Sequence, residues 1–175
     1  LYRFFQKDTF NQALFTGLLL ILCTSMLLST TKRAKSNIPI VTRNLKGDIY
    51  YGYTPDWAHY LQASAWVRDS LPEDALVACR KAPMSFVYAR GKHFFPIYSV
   101  IMKDSLTNQS DPDSALAFFE RNKVTHVLMA SLRMNPAMNT GNVINTVHNI
   151  MIPIARKYPE KLHLVKQVGH EMDEP

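Results

Sequence analysis

"EDALVACR", Glu73 to Arg80, decides the fold. Its apolar run, Ala75 to Cys79, is too short for a helix and follows the turn signal Leu71-Pro72, so it predicts a short buried strand. On its N-terminal side, Thr54 is a good helix N-cap and Pro55 fits the first helical position. Trp57, Leu61, Ala65 and Leu71, with Tyr60 and Ser64 beside them, recur at helical spacing up to Leu71. On its C-terminal side, "APMSFVYARGKHFFPIYS" predicts a short helix closed by Arg90-Gly91, then a second strand around Phe94 to Tyr98.

The alternation continues. Asp111-Pro112 opens a helix with Ala115, Leu116 and Phe119 on its apolar face, and "NKVTHVLMAS" supplies a third strand, Val124 to Ala130. "RMNPAMNTGN" reads as a loop. Val143, Val147, Ile150, Met151 and Ile154 form a helical stripe that should reach Tyr158, with Pro153 kinking or breaking it. "KLHLVKQVG" predicts a last strand, heading into a solvated turn that holds Glu171, Asp173 and Glu174. Helices and strands alternating on short links imply an α/β domain of two or three layers. Its small sheet should be mostly parallel with flanking helices, the last strand being the one open to an antiparallel course.

Ahead of this domain lies a different kind of sequence. No residue from Thr9 to Thr31 is charged, and that run would span about 35 Å as a helix, against roughly 30 Å of bilayer hydrocarbon. Between Phe10 and Leu28 it holds seven Leu, one Ile and two Phe. Their insertion free energy sums to on the order of −3 to −6 kcal/mol, less what Thr16, Gly17, Thr24 and Ser25 subtract. A membrane-spanning helix is expected. A cleaved signal peptide, a buried core helix and a terminus docked on the domain are the other accounts of such a run. A signal peptide should have a shorter apolar core and end in small residues, whereas Thr-Thr-Lys-Arg follows here. The expected organisation is a transmembrane helix and flank over 1–31, a basic connector without period over 32–53, and the α/β domain over 54–175.

The chain carries 20 Lys plus Arg against 14 Asp plus Glu, a net charge of +6. Lys32, Arg33, Lys35, Arg43 and Lys46 place part of that excess just after the apolar run, as expected of a membrane flank. Zinc-finger spacing, aromatic-basic RNA-binding signatures and long basic helices are absent, which argues against a nucleic-acid partner. Cys23 lies in the apolar run and Cys79 in the predicted strand, so no disulfide is expected. Six scattered histidines have no metal-site spacing. No Gly-rich nucleotide fingerprint, phosphate-binding loop or nucleophile elbow occurs, and Asp69, Glu73, Asp74, Asp111 and Asp113 flank helix ends where capping explains them. No catalytic residue and no cofactor site is assigned to this chain.

One basic constellation remains. Arg80 and Lys81 leave the carboxyl end of the first predicted strand, and "YARGKH" returns Tyr88, Arg90 and Lys92 before the second. Open α/β sheets bind ligands at the carboxyl ends of their strands, and guanidinium groups suit phosphate. These five residues are expected to converge as a phosphate or substrate site; the other reading is a set of solvent-facing loop cations.

The series "WAHYLQASAWVRDSLPEDALVACRKAPMSFVYARGKHFFP", "DPDSALAFFERNKVTHVLMA" and "KLHLVKQVG", after an apolar helix and a basic connector, resembles the C-terminal end of polytopic bacterial GT-C-type glycosyltransferases, relatives of protein mannosyltransferases and aminoarabinose transferases. The resemblance implies an extracytoplasmic (periplasmic) α/β domain after the last transmembrane helix of an inner-membrane enzyme that uses a polyprenyl-phosphate sugar donor. The upstream membrane helices and a lipid-linked sugar or glycan acceptor would be its partners. The family's catalytic acid lies in an early extracytoplasmic loop with no counterpart here, and Leu1 and Glu174-Pro175 fit the ends of an excised piece. The positive-inside rule alone would place the domain in the cytoplasm, since Lys32, Arg33 and Lys35 follow the run and only Arg3 and Lys7 closely precede it. A single-span anchored ligand-binding or sensing module is the alternative.

Overall fold

The computed structural model describes residues 9–102 and 106–170. The expected turn at Glu171, Asp173 and Glu174, and the flanking cations Arg3 and Lys7, lie outside the described residues. The chain divides into two units, Leu1–Tyr51 and Gly52–Pro175.

The first unit is built on one helix, α1, Thr9–Leu45, of 37 residues and about 55 Å. It is long and apolar enough to cross a membrane, and none of the apolar window that qualifies it is buried. Leucines face outward around the helix, Leu14, Leu20 and Leu27 among them. Four hydroxyls of this stretch are satisfied within the helix. Thr16, Ser25, Thr30 and Thr31 donate to the carbonyls of Gln12, Leu22, Met26 and Leu27 at 2.8–2.9 Å, the arrangement that lets hydroxyl side chains enter hydrocarbon.

The helix also continues where a connector was expected, through Ser29 to Leu45. Polarity does not prevent a helix: Lys32, Arg33, Ala34 and Lys35 are strong helix formers, and Ser36 and Thr42 bond back to Arg33 and Ile38. Pro39 sits inside and leaves the Lys35 carbonyl without an amide donor, at a residue that is exposed. The end is a Schellman turn at Gly47 (φ 100°), with Asp48 N–H donating to Arg43 O and Gly47 N–H to Asn44 O.

In the second unit the elements follow in order: α2, Pro55–Ser70; β1, Val77–Cys79; α3, Ala82–Tyr88; β2, Phe94–Pro96; α4, Pro112–Arg121; β3, His126–Leu128; β4, Leu132–Arg133; β5, Val143–Ile144; and α5, His148–Lys157. Three strands form a parallel sheet in the order β2-β1-β3, with Val77 opposite Phe94 and His126. This is the expected α/β architecture: a small parallel sheet with flanking helices, preceded by a long apolar helix. All three β1 residues are buried. Ala78 packs with Ala115, Phe119, Val147, Ile150 and Ile154 of the α4 and α5 layer, and Cys79 meets Ser85 of α3 on the other face.

Three expectations need correction. "KLHLVKQVG" forms no strand: after a 3-10 turn at Pro159–Lys161 the segment finds no ladder partner, and Leu164 and Val165 stay exposed. It runs instead to bring Gly169 (φ +83°) against the His59 ring on α2, where a Cβ would lie 2.3 Å from Nδ1. The excursion after β3 carries an antiparallel ribbon, β4 with β5, on either side of the predicted loop. Val143 belongs to that ribbon, so the last helix starts at His148. Pro153 is absorbed within α5, because the Asn149 carbonyl it deprives of a helical donor accepts from Ser110 N–H at 2.9 Å.

Helices α3 and α4 both end in Schellman turns whose left-handed position holds a cation: Arg90 (φ 49°) and Lys123 (φ 56°). Gly91 N–H donates to Phe86 O and Val124 N–H to Phe119 O. Replacing Arg90 or Lys123 by Gly removes the Cβ strain and should raise unfolding free energy by about 0.5–1 kcal/mol each, read by chemical denaturation.

A pH dependence follows from the start of α4. Asp111 is held below the usual carboxylate range by Ser114, whose N–H it caps, and Asp113 is held there by Lys157 and then Tyr158. Both folded values lie below the unfolded ones. The stabilisation is therefore complete above about pH 4 and lost as pH falls through the folded values. Asp113→Asn should flatten this acid limb in a circular-dichroism titration.

Candidate functional site at the carboxyl edge of the sheet

The chain leaves β1 toward β2 on one side and returns past β1 to β3 on the other, so the carboxyl ends of β1 and β3 flank a topological switch point. Arg80 and Lys81 stand there, immediately after the last ladder bond, Ile97 N–H to Cys79 O at 2.8 Å. Arg80 Nε donates to Thr146 Oγ1 at 3.3 Å, and its guanidinium lies 5.6 Å from the Tyr98 ring centroid. Lys81 N–H donates to the Tyr60 hydroxyl at 3.2 Å, and Nζ lies 5.6 Å from the Trp57 ring. Burial, and then the Arg80 charge, push the Lys81 ammonium below its ordinary range. Two adjacent cations backed by aromatic faces and a hydroxyl suit an anion.

A polar lock holds the excursion after β3 over this edge. Asp56, in the first turn of α2 and almost wholly buried, accepts Arg133 N–H at 2.8 Å and Arg133 Nη1 at 2.5 Å. Trp57 Nε1 donates to Arg133 O at 2.8 Å, and Thr54 N–H to Pro136 O at 2.8 Å. The Thr54 hydroxyl donates to the same Pro136 carbonyl at 3.3 Å, so it makes no side-chain cap of α2.

Beneath the edge, Ser85 Oγ donates to the Tyr60 hydroxyl at 2.7 Å, Ser64 Oγ lies 3.0 Å from Ser85 Oγ, and Cys79 Sγ lies 3.6 Å from it. Burial raises the Tyr60 phenol well above its ordinary range and pushes the Cys79 thiol up. Cys79 is therefore a neutral, inert thiol, and this string positions the Lys81 backbone rather than doing chemistry.

The five cationic and aromatic residues expected to converge are divided by the sheet. Residues that follow a parallel strand lie at its carboxyl edge and residues that precede one lie at its amino edge, so Arg80 and Lys81 are parted from Arg90 and Lys92. Lys92 Nζ donates to Pro72 O at 2.6 Å. With Arg90 it lines an open cleft of about 630 Å³ that also holds Arg68, Glu73 and Asp74, a mixed field that favours no anion. Tyr88 hydrogen-bonds the Tyr53 hydroxyl at 3.2 Å.

Sequence reasoning missed Asp56, Trp57, Tyr98, Arg133 and Thr146. One usable signal was in plain view: no Asp or Glu occurs between Asp74 and Asp104 or between Glu120 and Glu160, the stretches that supply most of this edge. Among the described residues, no group of three or more His, Cys, Asp or Glu could hold a metal ion. No family model, curated protein or solved structure matches the chain.

Removing the Asp56 carboxylate would leave Arg133 half-buried and unpaired. Asp56→Ala should cost about 3 kcal/mol in denaturant unfolding, and the double replacement Asp56→Leu with Arg133→Met should recover only the part due to the unpaired guanidinium, because the Arg133 N–H still loses its acceptor. Lys81→Gln, by contrast, should change stability by no more than about 0.5 kcal/mol.

Proposed function

We propose that this chain is the closing segment of a membrane-embedded bacterial GT-C-type glycosyltransferase: a last transmembrane helix followed by an extracytoplasmic α/β domain. The domain covers or positions a polyprenyl-phosphate-linked sugar, and bond-making belongs to residues outside this chain. The observation that carries the membrane half is α1, whose apolar window has no buried residue and whose Thr16, Ser25, Thr30 and Thr31 hydroxyls bond the helix's own backbone. The transferase half rests on the ordered series of motifs from Trp57 to Gly169. The carboxyl edge is compatible with it, because Arg80 and Lys81 fit phosphate while the Asp56 carboxylate is occupied by Arg133.

Placement of the domain outside follows the resemblance against a thin charge asymmetry, since earlier helices can fix orientation in a polytopic protein. Labelling of Glu73→Cys, exposed at the amino edge of the sheet, by a membrane-impermeant reagent in intact spheroplasts should succeed in a background lacking Cys23 and Cys79. Protection there would overturn the outside placement. The purified chain alone should not turn over a polyprenyl-phosphate sugar; turnover would overturn the division of labour.

A further inference from the structure

The carboxyl edge carries more than two cations. The excursion after β3 turns three methionines outward: Met129, Met134 and Met138 are 42%, 66% and 52% exposed, and Tyr98, on the segment after β2, is 62% exposed. Tyr98 and Met134 are tied to the cations, because Arg80 reaches both Tyr98 and Thr146 while Trp57, beside Lys81, holds Arg133 next to Met134; Met129 directly follows β3 and Met138 lies on the same excursion. Flexible thioethers and a tyrosine on an exposed rim are poorly accommodated by water and well accommodated at a hydrocarbon boundary.

Charge selects the partner. Residues 75–102 and 121–159 contain no carboxylate, and among the described residues those that border this edge from other elements are engaged: Asp56 by Arg133, Asp111 as the cap of α4, Asp113 by Lys157 and Tyr158. Arg80 and Lys81 thus keep their positive field. The amino edge, with Glu73 and Asp74 among its cations, is balanced.

We propose that the carboxyl edge, with Tyr98, Met129, Met134 and Met138 around Arg80 and Lys81, docks on an anionic lipid headgroup layer. Apolar side chains enter the boundary while the two cations meet lipid phosphate, the division found in surface-bound segments. The proposal deepens the membrane reading above by naming the surface and its lipid class. A chain tethered by α1 would present this edge at high effective concentration, so a weak surface contact suffices.

The test uses the full chain with Cys23→Ser and Cys79→Ala, an environment-sensitive fluorophore on Met134→Cys or Met138→Cys, and Glu73→Cys at the amino edge as control. Vesicles are phosphatidylcholine alone or with about 30 mol% phosphatidylglycerol. Emission from both edge positions should shift to the blue only with the anionic lipid, and the Glu73→Cys probe should stay silent. Arg80→Gln with Lys81→Gln should weaken the docking equilibrium by about 25-fold, roughly fivefold per cation. Millimolar inorganic phosphate should leave the shift intact. Silence at both edge positions, an equal shift on neutral lipid, an equal response at the control, or reversal by free phosphate each overturns the proposal. Flotation with neutral vesicles reads anchoring separately: floating without a shift sinks the docking alone, and a shift on anionic vesicles without flotation on neutral ones sinks the anchoring alone.

Discussion

Everything in the α/β domain hangs on the closure of β1 on both faces. Val77, Ala78 and Cys79 expose no more than 1% of their surface, so three residues of backbone must find all their hydrogen bonds within the sheet. Two parallel neighbours supply them. Parallel neighbours in turn demand crossovers, and the two crossovers leave on opposite sides, which puts α3 on one face and α4 on the other. The switch point at the carboxyl edge is a consequence of that topology, and Arg80 and Lys81 occupy it because they are the next residues in the chain.

What holds the edge together is polar, and this is unusual for a surface built over so short a sheet. The Tyr60, Ser64, Ser85 and Cys79 string and the Asp56 and Arg133 pair are satisfied networks in which each buried group has a partner. Apolar replacements of equal volume could match their stability. They could not aim Lys81 outward from the Tyr60 hydroxyl or fix Arg133 with its carbonyl on Trp57, so directionality is what the polar contacts add.

The sheet was legible because each strand is an apolar run set between helix punctuation, as Leu71-Pro72 and Arg90-Gly91 set off Val77–Cys79 and Phe94–Pro96. Elements without that contrast were not. Leu162 and Leu164 alternate as in a half-buried strand, yet alternation says nothing of whether an edge is free to pair. The connector after the apolar run lacks hydrophobic period, yet its strong helix formers continue a helix already nucleated, which needs only propagation. At the site, Arg80 and Lys81 follow from strand direction alone. Arg90 and Lys92 were assigned to the wrong edge because they precede their strand, and the Asp56 to Arg133 pair, 77 residues apart, leaves no local trace.

Two features of the chain ask for the same surroundings. Helix α1 exposes its leucines with the Thr16, Ser25, Thr30 and Thr31 hydroxyls turned inward to the backbone, a pattern that water penalises and hydrocarbon accepts. The carboxyl edge exposes methionine and tyrosine beside cations that have no carboxylate partner among the described residues, a pattern that neither bulk water nor hydrocarbon satisfies alone. The headgroup layer, where apolar and anionic groups lie within a few ångströms, satisfies it. Arg80 and Lys81 bear the second demand most directly: side by side, with the Lys81 ammonium disfavoured by partial burial and by the Arg80 charge, they gain more from a shared anion than separated surface cations would. A lipid-phosphate layer supplies that anion as a surface rather than as a single ligand, which fits an open rim better than a closed pocket.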